Sequence, residues 1–270
     1  MLGAVHIEQW LQRAEPDFYA AFINAWIPFN AWYVHEYQEE HDNICLDKIC
    51  STENNYRIKI KNLLTSDTIE AKEFRYNIAR LYRELASHPI PAHAPLSFDN
   101  VLKEENQHSV FQQDYRNYSY KWQYFKQTRP HCKCIVTSKN TQPLKTIVTF
   151  DLVNWDLAAL TTNVDYMGIT NSVVQNKVRE YFMQIKPYLT VPIVVPNTAS
   201  PKQLRNAMKI DIDSQLYFIN DVDKVSCAIV RLLYQLRCLI FHGNIGPAKD
   251  TCHIYEYAYN IQRVLIKSLV

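Results

Sequence analysis

Arg237 and His242, with four residues between them in RLLYQLRCLIFHGNIGP, stand at the end of an apolar helical pattern that breaks at Gly243. Five positions correspond to about 7.5 Å of helical rise, so a helix that unwinds at the histidine can turn both side chains into one cleft. The arginine offers a permanent charge and a planar donor fork for phosphate. The histidine, among the free carbonyls of a helix end, is placed to move protons. Together they suit phosphodiester cleavage, in which one group transfers protons and another stabilises the charged phosphorane. Only four glycines occur in 270 residues, and Gly243 and Gly246 both follow this helix, which marks a sharp turn there. The ordinary alternative is a histidine that caps a helix beside a surface arginine.

The helix that carries the pair starts at Asp221 and keeps Val222, Val225, Ile229, Leu232, Leu233, Leu236 and Ile240 at helical spacing. After the glycine turn and Pro247, residues 251 to 269 predict a last amphipathic helix, and two long helices joined by a short loop predict an antiparallel hairpin. Near the other end, a short helix over residues 5–14 precedes a longer one capped by Asp17, with Phe18, Phe22, Ala25, Trp26, Phe29, Trp32 and Tyr33 on one stripe. Pro28 interrupts its hydrogen bonding. Asn30 lies between aromatics and must find a partner if buried, either as a bridge between helices or as a member of a site. Residues 43–65 are mixed, and the run RIKIKN fits a helix or an exposed strand. A further helix opens at Ser66 or Asp67 and runs to Leu85 before the proline loop HPIPAHAP.

The most basic and aromatic stretch is QDYRNYSYKWQYFKQTRPHCK. Charges that follow a phosphate backbone and rings that stack on unpaired bases are the ingredients of single-strand recognition, which nominates Arg116, Lys121, Trp122, Lys126 and Arg129 as RNA-binding residues. A helix with aromatics inward and basic residues outward has the same composition. KCIVTS and KTIVTF predict a small hairpin over residues 133–150, and a clearer amphipathic helix runs from Asn171 to Pro187.

Composition bounds the rest. A hydrophobic fraction of 47% fills a sizeable core, and scarce glycine favours a mainly all-α protein. A formal net charge of +2 does not by itself announce a polyanionic partner, so a basic surface must come from local clustering. Seven cysteines at irregular spacing point to reduced thiols and a cytoplasmic setting. No apolar run is long enough to cross a bilayer, and no basic-then-apolar leader opens the chain. HEYQEEH misses the zincin spacing, and His131, Cys132 and Cys134 with Cys45 and Cys50 match no common zinc module. No metal or cofactor is expected.

LRCLIFHGN, followed by a proline and an amphipathic helix, resembles the R-x4-6-H signature of the HEPN superfamily of helical ribonucleases. FINAWIPFNAWY likewise resembles the F-x-x-x-W-x-x-F-N segment in the first long helix of several HEPN branches. The likeness spans about residues 5–40 and 221–269. It implies one HEPN-like helical bundle over 1–270, with core helices from about 5–86 and 203–270 and an insertion at about 98–200. It further implies a metal-independent endoribonuclease acting on single-stranded RNA as a homodimer, a toxin or anti-phage effector with an antitoxin or regulatory protein as partner. Arg237 and His242 would be its catalytic pair, with Asn30 orienting them. The alternative within the resemblance is a noncatalytic module that binds RNA or a protein. Many active members carry Asn, Asp or His directly after the arginine, where this chain has Cys238, a poor hydrogen-bond donor.

Overall fold

A computed structural model describes residues 16–90, 95–126, 129–211, 215–246 and 248–269. The helix expected over residues 5–14, with Pro91 and Pro247, lies outside the described residues. The chain forms two compact units, one containing the described residues up to Leu102 and from Thr190 onward, the other Lys103–Leu189.

The first unit begins with α1 (Phe18–Tyr37), whose Asp17 cap accepts the Ala20 N–H at 3.0 Å. The helix continues through Pro28 although proline supplies no N–H, because Phe22, Ala25, Trp26, Phe29 and Tyr33 recur every three or four residues and are buried together. The mixed stretch after it forms two helices, α2 (Asp42–Ser51) and α3 (Asn55–Thr65), and Asn54 caps the second by accepting from the Arg57 N–H. α4 (Ile69–Ser87) follows, capped by Thr68 rather than by Ser66 or Asp67.

The second unit departs from an all-α expectation. After the short β1 (Lys103–Glu105) come β2 (Val110–Tyr115), β3 (Tyr118–Phe125), β4 (His131–Ser138) and β5 (Lys145–Val153), a four-stranded antiparallel sheet in sequential order. The expected hairpin is therefore its second half, and the basic aromatic stretch builds the first half as strands. The reason is a two-residue period: Tyr118, Tyr120, Trp122 and Tyr124 alternate with Ser119, Lys121, Gln123 and Phe125. The first set turns inward, and Tyr120 and Trp122 join Cys132, Cys134, Val136, Phe150 and Leu152 in a core. α5 (Leu157–Thr162), α6 (Val164–Met167) and α7 (Ser172–Phe182) close that core with Leu160, Tyr166, Val174, Val178, Tyr181 and Phe182. β6 (Tyr188–Thr190) pairs with β1. The protein is thus mixed α/β, with helices dominating the first unit and the sheet the second.

The first unit resumes with β7 (Val194–Val195), α8 (Pro201–Asn206), β8 (Met208–Lys209) and β9 (Tyr217–Phe218), a small antiparallel sheet in the order β7–β9–β8. α9 (Val222–Phe241) and α10 (Lys249–Ile266) complete it. Asp221 caps α9 by accepting from the Lys224 N–H at 3.0 Å. The two, expected as an antiparallel hairpin, touch each other less than they touch earlier helices. α9 packs chiefly on α2 and α3, and α10 chiefly on α1 and α4, so each helix buries its apolar stripe against earlier parts of the chain. Near the turn they meet through the buried Tyr255 hydroxyl, which donates to the Leu236 carbonyl at 3.0 Å. No described helix is long and apolar enough to cross a membrane.

One polar bridge ties the helical core together. Tyr56 Oη donates to Gln262 Oε1 at 2.5 Å, and Gln262 Nε2 reaches the Ala25 carbonyl at 3.5 Å, which joins α3, α10 and α1 inside the core. Burial pushes the Tyr56 phenol well above its ordinary pKa, so it stays a neutral donor. Gln262→Leu, which leaves that hydroxyl without an acceptor, is expected to cost about 1–3 kcal/mol in denaturant unfolding. A variant as stable as the parent would remove the bridge from the account.

One cysteine expectation also needs correcting. Cys50 on α2 and Cys227 on α9 form a disulfide, their Cα atoms 5.1 Å apart. They are 177 residues apart in sequence, and only the packing of the two helices brings them together. Cys45, Cys132, Cys134 and Cys238 keep their thiols.

Candidate active site

Arg237 lies in the last third of α9 and His242 is the residue that caps the helix. The cap forms as the sequence requires: Gly243 adopts φ +64°, its N–H meets the Ile240 carbonyl at 3.0 Å, and the Asn244 N–H meets the Leu239 carbonyl at 2.9 Å. This paired closure needs a left-handed residue after the cap, which glycine adopts without a side-chain penalty. His242 is left exposed, and its imidazole makes no hydrogen bond or ion pair among the described residues.

Arg237 is held more closely. Its guanidinium carbon lies 4.1 Å from the centroid of the Phe241 ring, one turn further along α9. Its Nη1 is 3.5 Å from Asp42 Oδ2, at the start of α2. Its Nε is buried with no hydrogen-bond partner, and the side chain as a whole is 19% exposed. The remaining donors are therefore the terminal nitrogens.

The polar chain continues from Asp42. Tyr33 Oη donates to Asp42 Oδ1 at 2.8 Å, and Asn30 Nδ2 donates to Tyr33 Oη at 2.5 Å. Burial first, then the Asp42 carboxylate, raises the Tyr33 phenol well above the tyrosine range, so it serves as a fixed neutral donor. Asn30 and Arg237 are thus connected through two intermediates, whereas no bond joins either to His242 within one chain. Beside them, burial pushes the Tyr234 phenol up to about 12, helped by its hydrogen bond to Cys238 and by the charge of Asp42.

Asp42, Tyr33, Tyr234 and Phe241 were not singled out from sequence as site residues. Tyr33 carried a usable signal, because a tyrosine on a fully apolar stripe must bring its hydroxyl to a partner. Asp42 carried none, since its approach to Arg237 depends on how α2 docks on α9.

Four of the five nucleic-acid candidates, Arg116, Lys121, Lys126 and Arg129, are exposed, and the fifth is not. Trp122 requires correction: it is fully buried, its ring stacked on Phe150 at 6.0 Å and against Phe182 at 4.9 Å, with Nε1 donating to the Val178 carbonyl at 3.1 Å. It is a core residue of the second unit and has no face to offer a base. Arg116 sits in the β2–β3 turn with its guanidinium 5.4 Å from the Tyr115 ring. Lys126, at the opposite end of β3, is paired with Glu105 at 2.7 Å, and exposed Arg129 precedes β4. Lys121 is exposed on the uncovered side of the sheet, as are Lys133 and Thr149. Phe125 and His131, cross-strand partners on that side, stack at 4.4 Å. His131 thereby points away from Cys132 and Cys134, and burial pushes the Cys132 thiol up to about 12.

Comparison with known proteins gives no match: no family model fits the chain, and no curated protein or solved structure is significantly similar to it.

Proposed function

We propose that the chain is a metal-independent endoribonuclease that cleaves single-stranded RNA through a composite site of Arg237 and His242 from two copies. The observation that carries the reading is the division of labour at the end of α9. Arg237 is fixed by Asp42 and Phe241 with only its terminal nitrogens available, while His242 stands exposed and unbonded one turn beyond. A fixed cation suits a charge that develops on phosphate, and an unbonded imidazole suits proton transfer.

The chemistry assigns the roles. A ribose 2′-hydroxyl attacks the adjacent phosphorus, its proton leaves to a base, and the 5′-oxygen departs with a proton from an acid, which yields a cyclic phosphate and a 5′-hydroxyl. One chain supplies one such imidazole, so a second His242 from a facing copy completes the two transfers. A facing copy would have exposed apolar side chains to cover: Ile27 and Val34 on α1 and Phe241 on α9 are 58%, 45% and 56% exposed. Asn30 acts through Tyr33 and Asp42 rather than on substrate. On the second unit taken by itself, Lys121 on the open side of the sheet, with Arg116 and Arg129 nearer its ends, offers charges to phosphate. If the motif resemblance to HEPN ribonucleases holds, such an activity would belong to a cytoplasmic toxin or anti-phage effector held by an antitoxin or regulatory protein.

The second reading, a noncatalytic module for RNA or a protein partner, is favoured by the Asp42 carboxylate beside Arg237, which competes with phosphate for its donors. Incubation with a labelled single-stranded RNA in EDTA separates the two. Cleavage that is lost in His242→Ala supports the nuclease, and salt-sensitive binding without turnover supports the module.

A further inference from the structure

α2 lies antiparallel along α9, and three side-chain links step along the pair in register. Cys50 is bonded to Cys227, Asp47 is paired with Arg231, and Asp42 is paired with Arg237. Moving toward the start of α2, the links fall at residues 50, 47 and 42. Moving toward the end of α9, they fall at 227, 231 and 237. Eight residues of one helix thus match ten of the other, about 12 Å against about 15 Å of rise. The two lower links set the register, and the register delivers the Asp42 carboxylate to Arg237.

Asp42 is itself held. Tyr33, fully buried, donates to its Oδ1 and is braced by Asn30, which leaves Oδ2 for the guanidinium. The guanidinium carbon lies 4.1 Å over the Phe241 ring. A carboxylate beside one terminal nitrogen and a ring against the guanidinium carbon restrict where the group can sit. Arginines otherwise carry large rotamer freedom, and a reactive group that is not locked by its neighbours loses rate steeply with small displacements.

We propose that Asp42 is the positioning residue of Arg237, fixing the guanidinium for phosphate at the end of α9. The assignment rests on the nuclease reading, and it makes α2 part of the site although that helix touches no substrate. Tyr33 and Asn30 act one and two bonds further back, by holding Asp42.

Asp42→Asn tests it directly, because the amide still accepts from Tyr33 while the charge that holds Arg237 is gone. Asp223→Asn removes a paired carboxylate from the first turn of α9, away from Arg237 and outside the three links, and serves as the control. The variant at Asp42 is expected to lose about 10- to 100-fold in kcat with little change in KM, and Asp42→Glu to recover part of the loss. In parallel, phenylglyoxal modification of Arg237, read by peptide mass spectrometry, should be several-fold faster in Asp42→Asn than in the parent or the control. Equal kcat in both variants, or faster cleavage in Asp42→Asn, would overturn the assignment, the latter because Asp42 would then be restraining the arginine. If the parent cleaves no RNA, the nuclease reading fails alone, and the modification rates decide the positioning: faster labelling upholds it and equal labelling removes it.

Discussion

Alanine at His242 is expected to lower the rate of single-stranded RNA cleavage by about 10²–10⁴-fold, the usual contribution of a positioned proton-transfer group. The loss should come without unfolding. His242 is exposed, its imidazole makes no bond among the described residues, and the helix closure around it uses backbone N–H groups and Gly243. Thermal unfolding of His242→Ala should therefore match the parent closely. Arg237 behaves differently. Arg237→Ala should cost a comparable factor in rate, about 10²–10³-fold, but it also leaves Asp42 and the Phe241 ring without their shared partner. Arg237→Lys is the cleaner variant, keeping the charge but lacking the fork, and activity close to the parent with lysine would remove bidentate phosphate recognition from the mechanism. Full cleavage by His242→Ala would sink the assignment of the pair.

The second large effect is on stability and falls on Trp122. Trp122→Ala should cost the second unit about 3–5 kcal/mol, through lost burial and the cavity left between Phe150 and Phe182. The change also strips the Val178 carbonyl of the indole N–H that it accepts. In a unit whose core lies between one four-stranded sheet and three short helices, this is enough to broaden or abolish its unfolding transition. RNA titration, by contrast, should leave the emission of Trp122 unchanged in the parent, and Lys121→Glu should weaken RNA binding with no shift in melting. A stable Trp122→Ala that has lost RNA affinity would show that the ring meets the nucleic acid after all.

Much of the helical frame is legible because its signals are local. Asp17 and Asp221 cap where a short acceptor precedes an apolar stripe, and Gly243 stops α9 where a left-handed residue is needed. The sheet is less legible, because tyrosine, tryptophan and lysine in one stretch suggest a composition before they show a period. The alternation of Tyr120 and Trp122 with Lys121 and Gln123 carries the strand, and it separates Lys121 from Trp122 onto opposite faces. Counting positions rather than residue types would have shown that the two cannot act together. Two features were beyond local reading altogether. Asp42 meets Arg237 and Cys50 meets Cys227 only because α2 docks along α9, and no spacing rule connects residues so far apart in the chain. Asn30 sits between these cases: its need for a partner was plain, but the partner is Tyr33, three residues on, with Asp42 beyond it.

The chemistry of the cut ends decides whether a ribose hydroxyl is the attacking group. A single-stranded RNA of defined sequence, incubated with the purified chain in EDTA and analysed by mass spectrometry, should yield fragments that end in a 2′,3′-cyclic phosphate and begin with a 5′-hydroxyl. Fragments with a 5′-phosphate and a 3′-hydroxyl, or RNA that is bound and returned intact, would contradict a site in which Arg237 and His242 drive attack by the ribose hydroxyl.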